Sequence, residues 1–191
     1  MADVLVVGLG NPGEEYARSR HNMGAEVVAE LAARHGERLK LAKKERALTA
    51  EVTIAGRRVA LAFPQTYMND SGQSVQLLRR RYDIEEPTNI VIVHDELDLP
   101  VGRMKVKEGG GLAGHNGLRS LKQHLHTDAF VRVRIGVGKP PSKERGADHV
   151  LRRVSKAERT ELDIKVQEAA DAVEMIVSDG AGPAMTKYNA L

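Results

Sequence analysis

The sequence predicts an α/β fold: one three-layer domain over residues 1–191, with a mixed, mostly parallel twisted sheet flanked by helices. Three observations predict it. Short β-rich apolar runs alternate with segments whose apolar residues recur at helical spacing. The first apolar run, Val4 to Gly8, breaks at once into the glycine turn Gly8-Leu9-Gly10-Asn11-Pro12-Gly13. One pair of runs is joined by only Ala55-Gly56, which makes a hairpin and so an antiparallel component.

Taken in order, Val4 to Gly8 reads as a buried first strand. Asn22 is placed to cap the next element, where Met23, Val27, Val28 and Leu31 share a helical face until Gly36 ends it. Ala47 to Ile54 and Arg57 to Phe63 are the hairpin strands, and Pro64 ends the second. Asn69 to Tyr82 offers a helix with Val75, Leu78 and Tyr82 on one side. Asn89 to His94 is a short apolar run suited to the centre of a sheet, and it delivers His94, Asp95 and Glu96 at its C-terminal edge. Arg103 to Lys107 fits an edge strand. The glycine-rich run Gly109 to Gly114 is entropically costly unless the chain must turn tightly or approach a ligand. Asn116 is placed to cap a helix through Leu125. In Phe130 to Val137, Val131, Val133, Ile135 and Val137 alternate with Phe130, Arg132, Arg134 and Gly136. Pro140-Pro141 opens a polar excursion carrying Lys139, Lys143 and Arg145. Ser155 with Glu158 forms a capping box before a helix whose stripe is Leu162, Val166, Ala169, Val173 and Ile176, ending at Gly180. No internal repeat or domain linker interrupts this order.

Composition narrows the function classes. Without cysteine, disulfides and thiolate chemistry are excluded, and a zinc site would need His and carboxylates alone. No stretch approaches the roughly 18 consecutive apolar residues of a membrane span, and the N-terminus has no basic region ahead of its apolar run. A cytoplasmic location is the expectation. The net charge of +3 is ordinary, but its distribution is not. Leu99 to Arg153 holds 12 Lys and Arg against 4 Asp and Glu, while the rest of the chain holds 17 against 22. Such segregation suits one region that meets a polyanion.

The first glycine turn formally matches the dinucleotide fingerprint G-x-G-x-x-G. Glu14 and Glu15 stand where a helix N-terminus should receive a pyrophosphate, the first helix is delayed past Asn22, and the second strand belongs to a hairpin. These features argue against a nucleotide site.

Asn11, His21, Asn69, Asp95, His115 and Asn116 all lie where strands or glycine loops end, and strand ends of one polarity collect along one crevice. Each alone has a structural explanation: Asn69 and Asn116 as helix caps, Asp95 as a turn former, His21 as a loop anchor. Together they offer a base, an orienting carboxylate and amide donors.

The chain resembles the bacterial peptidyl-tRNA hydrolase family over nearly its whole length. The resemblance rests on the runs Val7 to Gly13, Tyr16 to Gly24, Thr66 to Gly72, His94 to Pro100, Gly109 to Leu118 and Arg134 to Gly138, in that order. It implies a monomeric esterase that needs no metal, other cofactor or protein partner, and that cleaves the bond between a peptide's C-terminal carbonyl and the terminal adenosine ribose of tRNA. It implies that His21 is the base, Asp95 its orienting carboxylate, and Asn11, Asn69 and Asn116 substrate-positioning amides. It also places Tyr16, Met68 and His115 around the crevice, and Lys107, Arg134, Lys143 and Arg145 on the tRNA side.

The chemistry agrees with that implication. Neutral imidazole suits proton removal from an attacking water near pH 7, and a carboxylate can hold the proton on its distal nitrogen. Basic residues supply sequence-independent affinity for phosphates, and an accessible single-stranded end suits recognition of RNA. Three other classes compete: a non-catalytic RNA-binding protein, a nucleotide-dependent oxidoreductase, and a metal-dependent hydrolase using His94, His115 and Asp95.

Overall fold

A computed structural model describes residues 1–142 and 145–190. The apolar runs form the strands of one seven-stranded sheet: β1 (Val4–Gly8), β2 (Lys40–Ala42), β3 (Ala47–Ile54), β4 (Arg57–Pro64), β5 (Ile90–Glu96), β6 (Met104–Glu108) and β7 (Val131–Gly136). Their order is β2-β3-β4-β1-β5-β7-β6. The neighbours β4/β1, β1/β5 and β5/β7 are parallel, and the flanking pairs β2/β3, β3/β4 and β6/β7 are antiparallel. Only β3 and β6 therefore oppose the common direction, as expected for a mixed, mostly parallel sheet. Strands β1 and β5 are buried at every residue, which is why they read as unbroken apolar runs rather than alternating ones.

The hairpin turns on Ala55 (φ 51°) and Gly56 (φ 76°), both left-handed as a two-residue turn between twisted strands requires. Helices α1 (Met23–Arg34), α5 (Lys156–Asp179) and α6 (Ala181–Asn189) pack on one sheet face over Val6, Val91, Val93, Val133 and Ile135. Helices α2 (Ser71–Tyr82) and α3 (Asn116–Leu125) cover the other over Leu5, Val7, Ile90 and Ile92. The three layers follow from alternate side chains leaving opposite faces of the pleat. Two short elements, β2 and α4 (Gly146–Leu151), and the last helix α6 had no clear periodic signal.

The chain leaves β1 towards β4 on one side and returns to β5 on the other. The crevice beyond the C-terminal ends of β1 and β5 is thus the switch point of this sheet. Helix α1 begins directly against it. A Cβ at Gly8 would collide with the Gly24 carbonyl, and one at Gly24 with the Val93 carbonyl, so both glycines serve close helix–strand approach. A Cβ at Gly10 would lie 2.8 Å from the Asn22 side chain. These contacts account for the first two glycines of the fingerprint, and the third, Gly13, serves the turn through its φ of 101°. No helix of the described residues is long and apolar enough to cross a membrane.

Candidate active site

Asp95 is the penultimate residue of the fully buried β5 and is 2% exposed. A carboxylate so enclosed needs partners for both oxygens. Oδ2 lies 2.8 Å from His21 Nδ1, and Oδ1 lies 2.8 Å from His115 Nε2. His115 Nδ1 accepts from the backbone N–H of Gly117 at 3.0 Å and of Leu118 at 3.3 Å. That ring therefore carries its proton on Nε2 and donates it to Asp95. His21 likewise donates from Nδ1, which leaves its Nε2 lone pair without a partner among the described residues: the form a general base needs.

The charges follow from this geometry. Burial pulls the His21 imidazole down, but the Asp95 charge and hydrogen bond outweigh it and leave its pKa raised. Burial pushes the Asp95 carboxyl up, yet the facing His21 and the hydrogen bonds from both imidazoles hold it well below the usual carboxylate range. His94 is pushed down to about 3, first by burial and then by the His115 ring, whose centroid is 5.0 Å away. It stays neutral, with Nδ1 2.7 Å from the Asp95 carbonyl.

His21, Asp95 and His115 also present three potential metal-ligand atoms within 4.8 Å of one another. The donor set argues otherwise, because the His115 nitrogen that faces the group bears its proton. His94 lies outside this trio, so the combination of His94, His115 and Asp95 is not assembled as a ligand set.

Asn11 follows the first strand and is held from three directions. Its N–H donates to Asn22 Oδ1 at 2.8 Å, its carbonyl accepts from Asn22 Nδ2 at 2.9 Å, and its Oδ1 accepts from the Met68 N–H at 2.6 Å. Among the described residues its Nδ2 has no hydrogen-bond partner, and it is left as a donor at the crevice. Met68 is buried, and Gly117 lets its sulfur approach: a Cβ there would lie 2.6 Å from Met68 Sδ and 2.9 Å from the His115 ring. Tyr16, half-buried, shapes the turn before His21 through its carbonyl, which accepts from Ser19 N–H at 3.0 Å and Ser19 Oγ at 2.7 Å.

The Asn caps expected from sequence are not caps. Asn22 occupies the N-cap position of α1, but its side chain clamps Asn11 instead. Asn69 lies in the 3-10 turn Met68–Asp70, one residue before the N-cap Asp70 of α2. His115, not Asn116, caps α3 through its imidazole, and Asn116 is the first helical residue, exposed. Freed from capping, Asn116 borders a cavity of about 220 Å³ with His21, Asp95, Leu97, His115 and Val150.

The basic residues form a less uniform group. Lys107 is exposed on β6, and Arg145 is exposed immediately before α4. Lys143 lies outside the described residues. Arg134 is directed inward: its Nε is 2.9 Å from Oε1 of the buried Glu96, the neighbour of Asp95. Lys107 and Arg134 line one cavity of about 200 Å³ with His94, Glu96 and Arg132. The Arg132 guanidinium holds the glycine loop, donating to the carbonyls of Gly110 at 2.9 Å and of Gly111.

Two further residues at this site escaped sequence reasoning. Asn22 stands at a helix start, where capping is the local expectation, and nothing local marks it as the clamp of Asn11. Arg20 adjoins His21 but bonds to Glu158, which lies 138 positions away. The capping-box pattern misdirected there: Ser155 Oγ does accept from Glu158 N–H at 3.3 Å, but the Glu158 carboxylate is turned to Arg20.

Fold and site together define an α/β domain with a buried carboxylate held between two imidazoles at a sheet switch point. A sequence profile described as Peptidyl-tRNA hydrolase matches residues 5–191. The peptidyl-tRNA hydrolase of Frankia alni is 50% identical over 187 residues, covering 98% of this chain and 94% of the relative. That of Mycolicibacterium gilvum is 49% identical, covering 98% and 97%. The crystal structure of peptidyl-tRNA hydrolase from Acinetobacter baumannii superposes with a TM-score of 0.93 at 43% identity, covering 100% of this chain and 96% of that one. The chain belongs to the peptidyl-tRNA hydrolase family.

Proposed function

We infer that this chain hydrolyses the ester between the peptide's C-terminal carbonyl and the terminal adenosine ribose of peptidyl-tRNA, releasing free tRNA and an N-blocked amino acid or peptide. The observation that carries the mechanism is the double grip on Asp95, because it keeps the His21 proton on Nδ1 and so leaves the Nε2 lone pair to take a proton from water. Water held there loses its proton to His21 as it attacks the ester carbonyl, and the imidazolium returns a proton to the departing ribose oxygen. Asp95 keeps the tautomer and stabilises the transient positive charge. Asn11 Nδ2 and the Asn69 and Asn116 amides bind ester, peptide and ribose oxygens, beside Tyr16, Met68 and His115.

The tRNA phosphates meet Lys107, Arg145 and Lys143, with Arg134 at the boundary between that surface and the crevice. A free α-amine next to the ester would lose its hydration without gaining a partner, which disfavours unblocked aminoacyl-tRNA. In this reading residues 1–191 work as one unit, as a cytoplasmic monomer in ribosome rescue, with no metal and no protein partner.

Incubating the purified chain with N-acetylaminoacyl-tRNA in EDTA tests the reading. Release of free tRNA at an undiminished rate is expected. Binding without turnover would instead support a passive RNA-binding protein, and loss of activity that zinc restores would support a metal enzyme.

A further inference from the structure

Residues 14–18 form turns without a regular hydrogen-bond ladder, and Arg20–Asn22 is a single 3-10 turn. In a 3-10 turn successive side chains leave about 120° apart, so these three residues point in three directions. Asn22 reaches Asn11 and His21 reaches Asp95. Arg20 reaches the C-terminal third of the chain, 6% exposed, with Nε 2.9 Å and Nη2 2.6 Å from the two Glu158 oxygens and Nη1 2.8 Å from the His149 carbonyl.

These partners matter to the cavity. Glu158 stands in the first turn of α5, and His149 in α4. Ser19 forms an isolated antiparallel bridge with Arg153, between those two helices. Helix α4 contributes Gly146, Ala147 and Val150 to the wall of the cavity that His21 also lines. A six-residue helix has little stability of its own, so its place depends on such anchors. One guanidinium therefore ties down both the residue before the imidazole and the wall beside it.

We propose that Arg20 is a positioning residue of the reaction, holding His21 against Asp95 and setting the α4 wall beside it through its fork on Glu158 and its bond to His149. This rests on the reading of His21 as the base. Displacement of a reacting group by about 1 Å can cost on the order of 100-fold in rate, so the anchor has kinetic as well as structural consequences.

Arg20→Lys keeps the charge but cannot make the planar fork together with the third bond, and Glu158→Gln keeps the shape but removes the charge that the fork engages. Both would be assayed on N-acetylaminoacyl-tRNA well below their own Tm, across pH, beside His21→Ala. The expected result is a fall in kcat of about tenfold to 100-fold, with the salt dependence of tRNA binding unchanged. The acid limb of kcat/KM should also move to lower pH. Asp95 and His115, the polar groups facing the His21 ring, are untouched, but a ring held less closely by Asp95 loses the interaction that raises its pKa.

A lower Tm with unchanged kcat and acid limb would make the fork mere scaffold, and so would failure of both variants to fold. If only Arg20→Lys fails to fold, Glu158→Gln decides. Near wild-type turnover in His21→Ala would instead remove the base itself, a result distinct from loss of the positioning role.

Discussion

The Asp95 centre, near the C-terminal end of β5, and the basic flank, Lys107 on β6 and Arg145 before α4, are built on opposite terms. Around Asp95 both carboxylate oxygens have partners, and each ring tautomer is dictated by a neighbour. On the flank, Lys107 and Arg145 stand in solvent, and the function proposed for them begins only when a polyanion arrives. Charges in a low-dielectric setting interact strongly and must be placed accurately, whereas solvated charges are screened and tolerate imprecise placement. In the proposed function, chemistry therefore falls to the first region and salt-sensitive affinity to the second. Arg134 straddles them, since its pairing with the buried Glu96 gives it structural work that Lys107 does not share.

The largest expected effect comes from breaking the first region. His21→Ala should lower kcat by about 10²- to 10⁴-fold with tRNA affinity nearly intact. Asp95→Asn should slow turnover by on the order of 100-fold or more, because its amide would present a donor to one of two imidazole N–H groups and disturb the tautomers. It should also move the acid limb of kcat/KM to lower pH. Removing the carboxylate deletes what raises the His21 pKa and leaves burial, which lowers it. Unchanged pH–rate profiles in Asp95→Asn would break the assignment of Asp95 as the orienting group.

A middle-sized effect should appear in stability rather than rate. His94 is neutral in the fold with a pKa depressed to about 3, against 6.5 when unperturbed. Because the unfolded chain takes up that proton first, His94's contribution is fully present above about pH 6.5 and is lost as pH falls towards about 3. His94→Asn should flatten the decline of Tm across that window. An equally steep decline in the variant would assign the acid sensitivity to other groups.

The smallest effects sharpen the second region. Lys107→Ala and Arg145→Ala should each weaken binding of full tRNA and reduce the log–log salt slope by about one unit at most. Hydrolysis of a short substrate, the terminal adenosine carrying a blocked amino acid, should change little, since it cannot span the flank. Measuring kcat/KM for both substrates at several salt concentrations separates the two regions. Equal losses on both, with the slope unchanged, would dissolve the distinction.

The sequence by itself determined the elements whose causes are local. Alternation or unbroken apolarity marked β1, β3, β4, β5 and β7, helical spacing marked α1, α2, α3 and α5, and two linking residues marked the hairpin. It also delivered His21, Asp95 and His115 to strand and loop ends, where a parallel sheet gathers them. It was silent on β2, α4 and α6, which are short or docked by distant contacts, and it misassigned the side chains of Asn22 and Asn116. Both stand beside a helix start, where capping is the local default, but a partner from elsewhere in the chain competes for Asn22, and the His115 imidazole takes the cap of α3. Only tertiary structure decided the His115 tautomer, the inward turn of Arg134 and the Arg20–Glu158 fork. A hydrogen bond across 138 residues leaves no periodic trace, because either residue alone is indistinguishable from a solvated charge until the fold closes around both.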